Sequence, residues 1–245
     1  MWNCPRQSGK SFMDAVRAVH QASLWSNSLV LIVSASLRQA GETFRKVLDV
    51  YHGLRTPIKR TDDSSSQMTL ANGSRIITLP GKEGTIRGYS APSLIIVDEA
   101  AQCPDSLYYA LRPMLATSRG TLILSSSPFA KLGFFWEIWR KRTDLVDWWT
   151  IMVTADECPR IDPAILAADK RAMSRQVFER EYYGKFMPVQ GGLFTEEDIE
   201  SMRMRVASDF NIAAWHLPAI ENEGGAAEWR RTQVAEGLGV AWGAR

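Results

Sequence analysis

Along the chain, short apolar runs alternate with stretches whose apolar residues recur every three or four positions. Leu29–Ser34 (LVLIVS), Leu94–Val97 (LIIV) and Thr121–Ser125 (TLILS) are nearly continuous and rich in β-branched residues, the pattern of strands buried on both faces. Phe12, Ala15, Val16, Val19 and Ala22 mark one amphipathic helix, and Ala40, Phe44, Val47 and Leu48 mark a second within Ala35–Val50. Met68–Pro80 holds Asn72-Gly73 between two strand-like runs, a strong hairpin signal, and polar Pro57–Gln67 before it reads as a loop. Residues 104–116 predict a helix with Pro104 in its first turn and a kink or break at Pro113. Trp148–Thr154 is a further strand candidate, residues 163–185 read as helical, and Gly191-Gly192 reads as a linker. Strands alternating with helices predict an α/β domain over residues 1–190, built on a largely parallel β-sheet flanked by helices. A short C-terminal extension, residues 191–245, follows.

Composition narrows the class. The chain has 245 residues, of which 45% are hydrophobic and 23% charged, ordinary values for a globular protein and enough chain for a substantial core. Disorder and collagen-like folds are excluded. A net charge of +2 does not announce a nucleic-acid coat protein, but the balance is local: residues 1–60 hold nine Lys/Arg against three Asp/Glu, and residues 151–200 six against ten. Cys4, Cys103 and Cys158 are odd in number and in no metal spacing, which argues against a disulfide framework or zinc site and fits a reducing compartment. No apolar run approaches the roughly 20 residues of a membrane span, and residues 1–10 lack the apolar stretch of a signal peptide. A cytosolic protein is expected.

The chemistry lies between the elements. Gly9-Lys10-Ser11 stands at the start of the first helix. There a glycine lets backbone N–H groups approach phosphate oxygens, a lysine neutralises the β- and γ-phosphates, and a hydroxyl can hold Mg²⁺. The full pattern wants a glycine five residues before Gly9, and Cys4 stands in its place, so an accidental Gly-Lys-Ser remains the plain alternative. The second apolar strand ends in Asp98-Glu99, the strand-end acidic pair of many ATPases: an aspartate for the Mg²⁺ shell and a glutamate to polarise the attacking water. Both would project from carboxyl ends of parallel strands, where open α/β sheets bind ligands. Ser125-Ser126-Ser127-Pro128 ends the third strand, either a γ-phosphate sensor or a polar turn. Arg6 and Arg87 are candidate charge-stabilising arginines beside the bland reading of surface arginines. Phe134-Phe135-Trp136, Trp139 and Arg140-Lys141-Arg142 would suit a DNA-stacking surface, although aromatics so spaced are more often core.

Taken together these segments resemble the large subunit of the tailed-phage terminase, the ATP-driven DNA-packaging motor. The resemblance rests on Pro5-Arg6-Gln7-Ser8-Gly9-Lys10-Ser11, Thr85–Ser90 leading into Leu94–Ala101, Leu111–Leu115, Ser125–Pro128 and Phe178–Tyr182, and it covers roughly residues 2–200. It implies a P-loop NTPase-like fold with ATP and Mg²⁺ as cofactors. Gln7, Ser8, Gly9, Lys10 and Ser11 would bind nucleotide, Ser11 and Asp98 would hold Mg²⁺, and Glu99 with Arg6 would be catalytic. Ser125, Ser126 and Ser127 would couple hydrolysis to movement of double-stranded DNA. The resemblance further implies a homo-oligomeric ring on the procapsid portal protein, a small terminase subunit as partner, and work in the cytoplasm of an infected bacterium, with no membrane.

Three departures from the family pattern shape the expectations. Only four residues precede Pro5, so the strand that presents the loop is expected to be missing, as is an upstream adenine-contacting segment. Gly237–Gly243 resembles the first strand of the family's nuclease domain, but Ala241 stands where a metal-binding aspartate is expected. Nuclease activity is therefore not expected. A helicase-like or other P-loop ATPase, and a non-catalytic fragment that binds DNA or partners, are the alternative readings.

Overall fold

The computed structural model describes residues 1–188, apart from Asp63. The linker and C-terminal extension expected over 191–245, with Ala241, lie outside the described residues.

Seven strands form one sheet in the order β3-β4-β2-β5-β6-β1-β7. They are β1 Trp2–Asn3, β2 Leu29–Ser34, β3 Gln67–Thr69, β4 Arg75–Pro80, β5 Leu94–Asp98, β6 Thr121–Ser126 and β7 Ile151–Met152. Only edge strand β3 is antiparallel, joined to β4 by the Asn72-Gly73 hairpin with Thr69 opposite Arg75; Gly73 there takes φ +81°, a left-handed conformation that glycine adopts without Cβ strain. All other pairs are parallel. Among the described residues the α-helices are, in order, α1 Lys10–Leu24, α2 Leu37–His52, α3 Glu83–Ile86, α4 Asp105–Ser118, α5 Gly133–Arg140, α6 Pro163–Ala172 and α7 Arg175–Tyr183.

The central strands are fully buried because alternate residues feed two cores. Val30 and Ile32 of β2, with Leu94 and Ile96 of β5, pack against Ala15, Ala18, Val19, Phe44 and Val47 of α1 and α2. Leu31 and Val33, with Ile95 and Val97, pack on the other face against Leu107, Leu111, Phe134 and Phe135. This period-two partition explains why the runs read as continuously apolar.

Five expectations are revised. The loop has its strand: Trp2–Asn3 inserts between β6 and β7 and pairs with both. Asn3 is fully buried and its Nδ2 donates to the Gly184 carbonyl at 2.9 Å, so two residues suffice to anchor the loop. Pro113 does not break α4, which runs to Ser118; the proline lies on the exposed side, where water can satisfy the carbonyl it leaves unpaired, while Leu107, Leu111 and Leu115 stay buried. The strand proposed over Trp148–Thr154 shrinks to Ile151–Met152, and the helix over 163–185 splits at Met173-Ser174, where Ser174 caps α7 by accepting from the Val177 N–H. Phe134, Phe135 and Trp139 are core side chains, grouped with Phe186, rather than a stacking surface.

Candidate active site

The residues singled out in three separate segments meet at the carboxyl ends of β1, β5 and β6. One strand, β6, separates the loop-bearing β1 from the acidic β5, which spaces the two motifs across a cleft. Cys4 continues β1 by donating its N–H to the Ser126 carbonyl at 3.1 Å. Its φ is not positive, so the position does not need the glycine that the full motif carries. The turn occurs at Gln7 (φ 62°) and Gly9 (φ 92°). The φ of Gly9 favours glycine, and a Cβ there would lie 3.1 Å from Arg160 Nη1, close enough to nudge that guanidinium. α1 starts at Lys10, leaving the Lys10 and Ser11 N–H groups without intrahelical acceptors, the arrangement that binds anions at a helix N-terminus.

Lys10 is buried, and its Nζ lies 3.1 Å from Glu99 Oε1 and 2.9 Å from Ser127 Oγ. Glu99 sits just past β5 in the left-handed region, φ 55°, a conformation a non-glycine residue holds only where its surroundings enforce it. Its other oxygen accepts from Ser126 Oγ at 3.3 Å, and Ser126 Oγ also accepts the Ala101 N–H at 3.1 Å. Asp98 accepts from Ser11 Oγ at 3.3 Å and from Thr43 Oγ1 at 3.1 Å. Burial and the adjacent Glu99 push its pKa above the usual carboxylate value, opposed by Thr43, Lys10 and Ser11. Asp98 with the Ser11 hydroxyl offers hard oxygen donors, which fit Mg²⁺.

The cleft in front of this cluster has a volume of about 570 Å³ and is lined by Arg6, Gln7, Gly9, Lys10, Ser11, Gln39, Lys46, Glu99 and Arg160, among others. Four cationic side chains against one carboxylate favour a polyanion. Ser8 turns inward instead, donating to the Pro5 carbonyl at 2.9 Å. Arg6 lines the cleft, but its Nε lies 3.2 Å from Glu181 of α7. Arg87 is exposed beyond α3 and does not line the cleft. Thr43, Lys46 and Arg160 are additions the sequence reading missed. Thr43 had a signal, as a polar residue in the buried stripe of α2 beside Ala40, Phe44 and Val47; Arg160 follows an irregular stretch and had none.

A glycine-lysine-serine loop facing an Asp-Glu strand end across a parallel sheet has the layout of a phosphate-loop nucleotide site. Residues 1–201 match the family model described as terminase large subunit, T4likevirus-type, N-terminal, and the chain belongs to that family. Among solved structures it resembles the large terminase ATPase domain of Thermus phage P74-26 (TM-score 0.65, 18% identity, 76% of this chain and 88% of that one). It also resembles the large terminase of a second thermophilic bacteriophage (TM-score 0.65, 13% identity, 76% and 48%), including its complex with ATP-gamma-S (TM-score 0.61, 13% identity, 76% and 47%). The chain thus spans about half the length of that second terminase. Among curated protein sequences no relative matches.

Proposed function

We propose that this chain is the ATP-hydrolysing motor domain of a phage large terminase, coupling hydrolysis to translocation of double-stranded DNA into a procapsid. The observation that carries the reading is convergence: Lys10, Ser11, Asp98 and Glu99, far apart in sequence, meet within hydrogen-bond distance at one cationic cleft. In this reading Lys10 and the open N–H groups of Lys10 and Ser11 bind the β- and γ-phosphates. Ser11 and Asp98 hold the magnesium ion, which when bound neutralises developing charge on the phosphates. Glu99 orients the attacking water and accepts its proton. Arg6 leaves Glu181 to face the transferring phosphoryl group. Ser126 and Ser127, bonded to Glu99 and to Lys10, pass the loss of the γ-phosphate to β6.

Family membership favours the packaging motor over a helicase-like ATPase. The second phage relative, solved with ATP-gamma-S, supports nucleotide as the ligand. Portal protein, small terminase subunit, a homo-oligomeric ring and the host cytoplasm follow from the same reading; among the described residues no helix is long and apolar enough to cross a membrane. Calorimetry with ATP-gamma-S and Mg²⁺ tests it. Saturable one-site binding that Lys10→Ala removes is the expected result. Equal binding by wild type and Lys10→Ala would contradict it.

A further inference from the structure

One buried group takes no part in this account. Asp14 follows Lys10 by four residues, so the two share a face of α1 one turn apart. Its side chain is wholly buried, yet neither carboxylate oxygen has a hydrogen-bond partner. Its neighbours on that face are Ala15, Ala18 and Ala22, small residues that let α1 lie close on the sheet. A carboxyl in that stripe is costly to bury unless it bonds to something.

Ser125 of β6 is the matching anomaly. It is fully buried with an unpartnered hydroxyl, and it stands level with Asp98 in the parallel register of β5 and β6. Adjacent residues in register point to the same face, and Asp98 faces α1 and α2 through Ser11 and Thr43. Ser125 therefore faces α1 as well, and it is near enough to bear on the ionisation of Asp14. Burial and the nearby Asp98 hold the Asp14 pKa well above the usual carboxylate range, which favours the neutral, hydrogen-donating acid.

We propose that Asp14 is a positioning residue that ties the phosphate-loop helix to the coupling strand through Ser125. All three serines then have an ionisable counterpart: Ser125 meets Asp14, Ser126 meets Glu99, and Ser127 meets Lys10. The strand reads α1 at two points one turn apart, so a shift of the loop helix on nucleotide turnover is transmitted as a shift of β6 and not absorbed by a single bond. This inference rests on the ATPase reading.

The test measures kcat and KM for ATP, with melting temperature, in the full chain and its Asp14→Asn, Asp14→Val and Ser125→Ala variants. Asp14→Asn keeps the hydrogen-bonding groups without charge and should hold kcat within about two-fold of wild type. Asp14→Val should melt within a few degrees of wild type, since loss of the tie is offset by removal of a buried carboxyl, yet lose about ten-fold or more in kcat with KM little changed. Ser125→Ala should lose as much, and the double variant no more than either alone, as expected for one shared interaction. A kcat within two-fold in Asp14→Val or Ser125→Ala overturns the proposal, as do losses that multiply in the double variant. A wild type without turnover counts against the ATPase reading instead. The tie is then judged by hydrogen exchange at the β6 amides without nucleotide: Asp14→Val and Ser125→Ala should exchange about ten-fold faster than wild type and Asp14→Asn, and equal rates overturn it.

Discussion

Replacing Glu99 by glutamine separates its ion pair with Lys10 from its proposed role as the base. Glu99 is the charged partner of Lys10 at 3.1 Å, with side chains 22% and 7% exposed respectively. Removing one member of a buried pair costs about 3–5 kcal/mol. Partial exposure of Glu99, the Ser127 hydroxyl on Lys10 and an amide oxygen that still accepts reduce this to about 1–2 kcal/mol. At about 2–4 °C per kcal/mol for a domain of this size, Glu99→Gln should melt about 2–8 °C lower. Phosphates take the place of Glu99 against Lys10 when nucleotide binds, so the penalty should vanish in the complex. The variant should therefore bind Mg²⁺·ATP-gamma-S about 5–30-fold more tightly than wild type, while hydrolysis falls about 10²–10⁴-fold through loss of the base. Thermal shift with and without the analogue, beside calorimetry, gives both numbers. A penalty of equal size with and without nucleotide would refute the exchange of partners at Lys10.

Three further outcomes follow. Thr43→Val removes one of the two hydroxyls that orient Asp98 and should raise the half-saturating Mg²⁺ concentration for ATP hydrolysis about 3–10-fold, measured by magnesium titration at fixed ATP. Asp14 has a raised folded pKa, so its contribution to stability is fully present below the unfolded carboxylate value and lost as pH rises toward the folded one. Asp14→Asn does not titrate, so its melting advantage over wild type should grow from pH 4 to pH 7 by at most about 1.4 kcal/mol per pH unit; a constant difference would show an unshifted group. Cys103, pushed up to about 12 by burial and by Asp98 and Glu99, should resist alkylation at pH 8 in the folded chain and react once denatured, as read by mass spectrometry.

The fold was legible where burial was two-sided. β2, β5 and β6 carry their signature as nearly continuous apolar runs of four to six residues, and Asn72-Gly73 announces its hairpin directly. What escaped reading depended on partners distant in sequence. Trp2–Asn3 is a strand only because β6 and β7 offer it edges on both sides, and two residues have no period. α4 passes through Pro113 because three leucines bury its other face, which a proline rule does not weigh. That Lys10, Ser11, Asp98 and Glu99 meet at one cleft was readable, because each pair belongs to a local motif of fixed spacing at a loop or strand end. Thr43 and Arg160 were not, since what brings them there is the packing of α2 on α1, which carries Thr43 to Asp98, and the approach of Arg160 to Gly9. Phe12, counted in the helix stripe, is 46% exposed, and Asp14 takes a place on the buried face, a substitution no amphipathic pattern would suggest.

In the proposed function Lys10 and Glu99 make this chain an ATPase. Phosphate release from Mg²⁺·ATP by wild type, Lys10→Ala and Glu99→Gln, each also titrated with ATP-gamma-S, tests it most directly. The account predicts turnover by wild type alone, binding retained by Glu99→Gln, and binding lost in Lys10→Ala. Turnover persisting in Glu99→Gln at the wild-type rate, or tight nucleotide binding by Lys10→Ala, would contradict it.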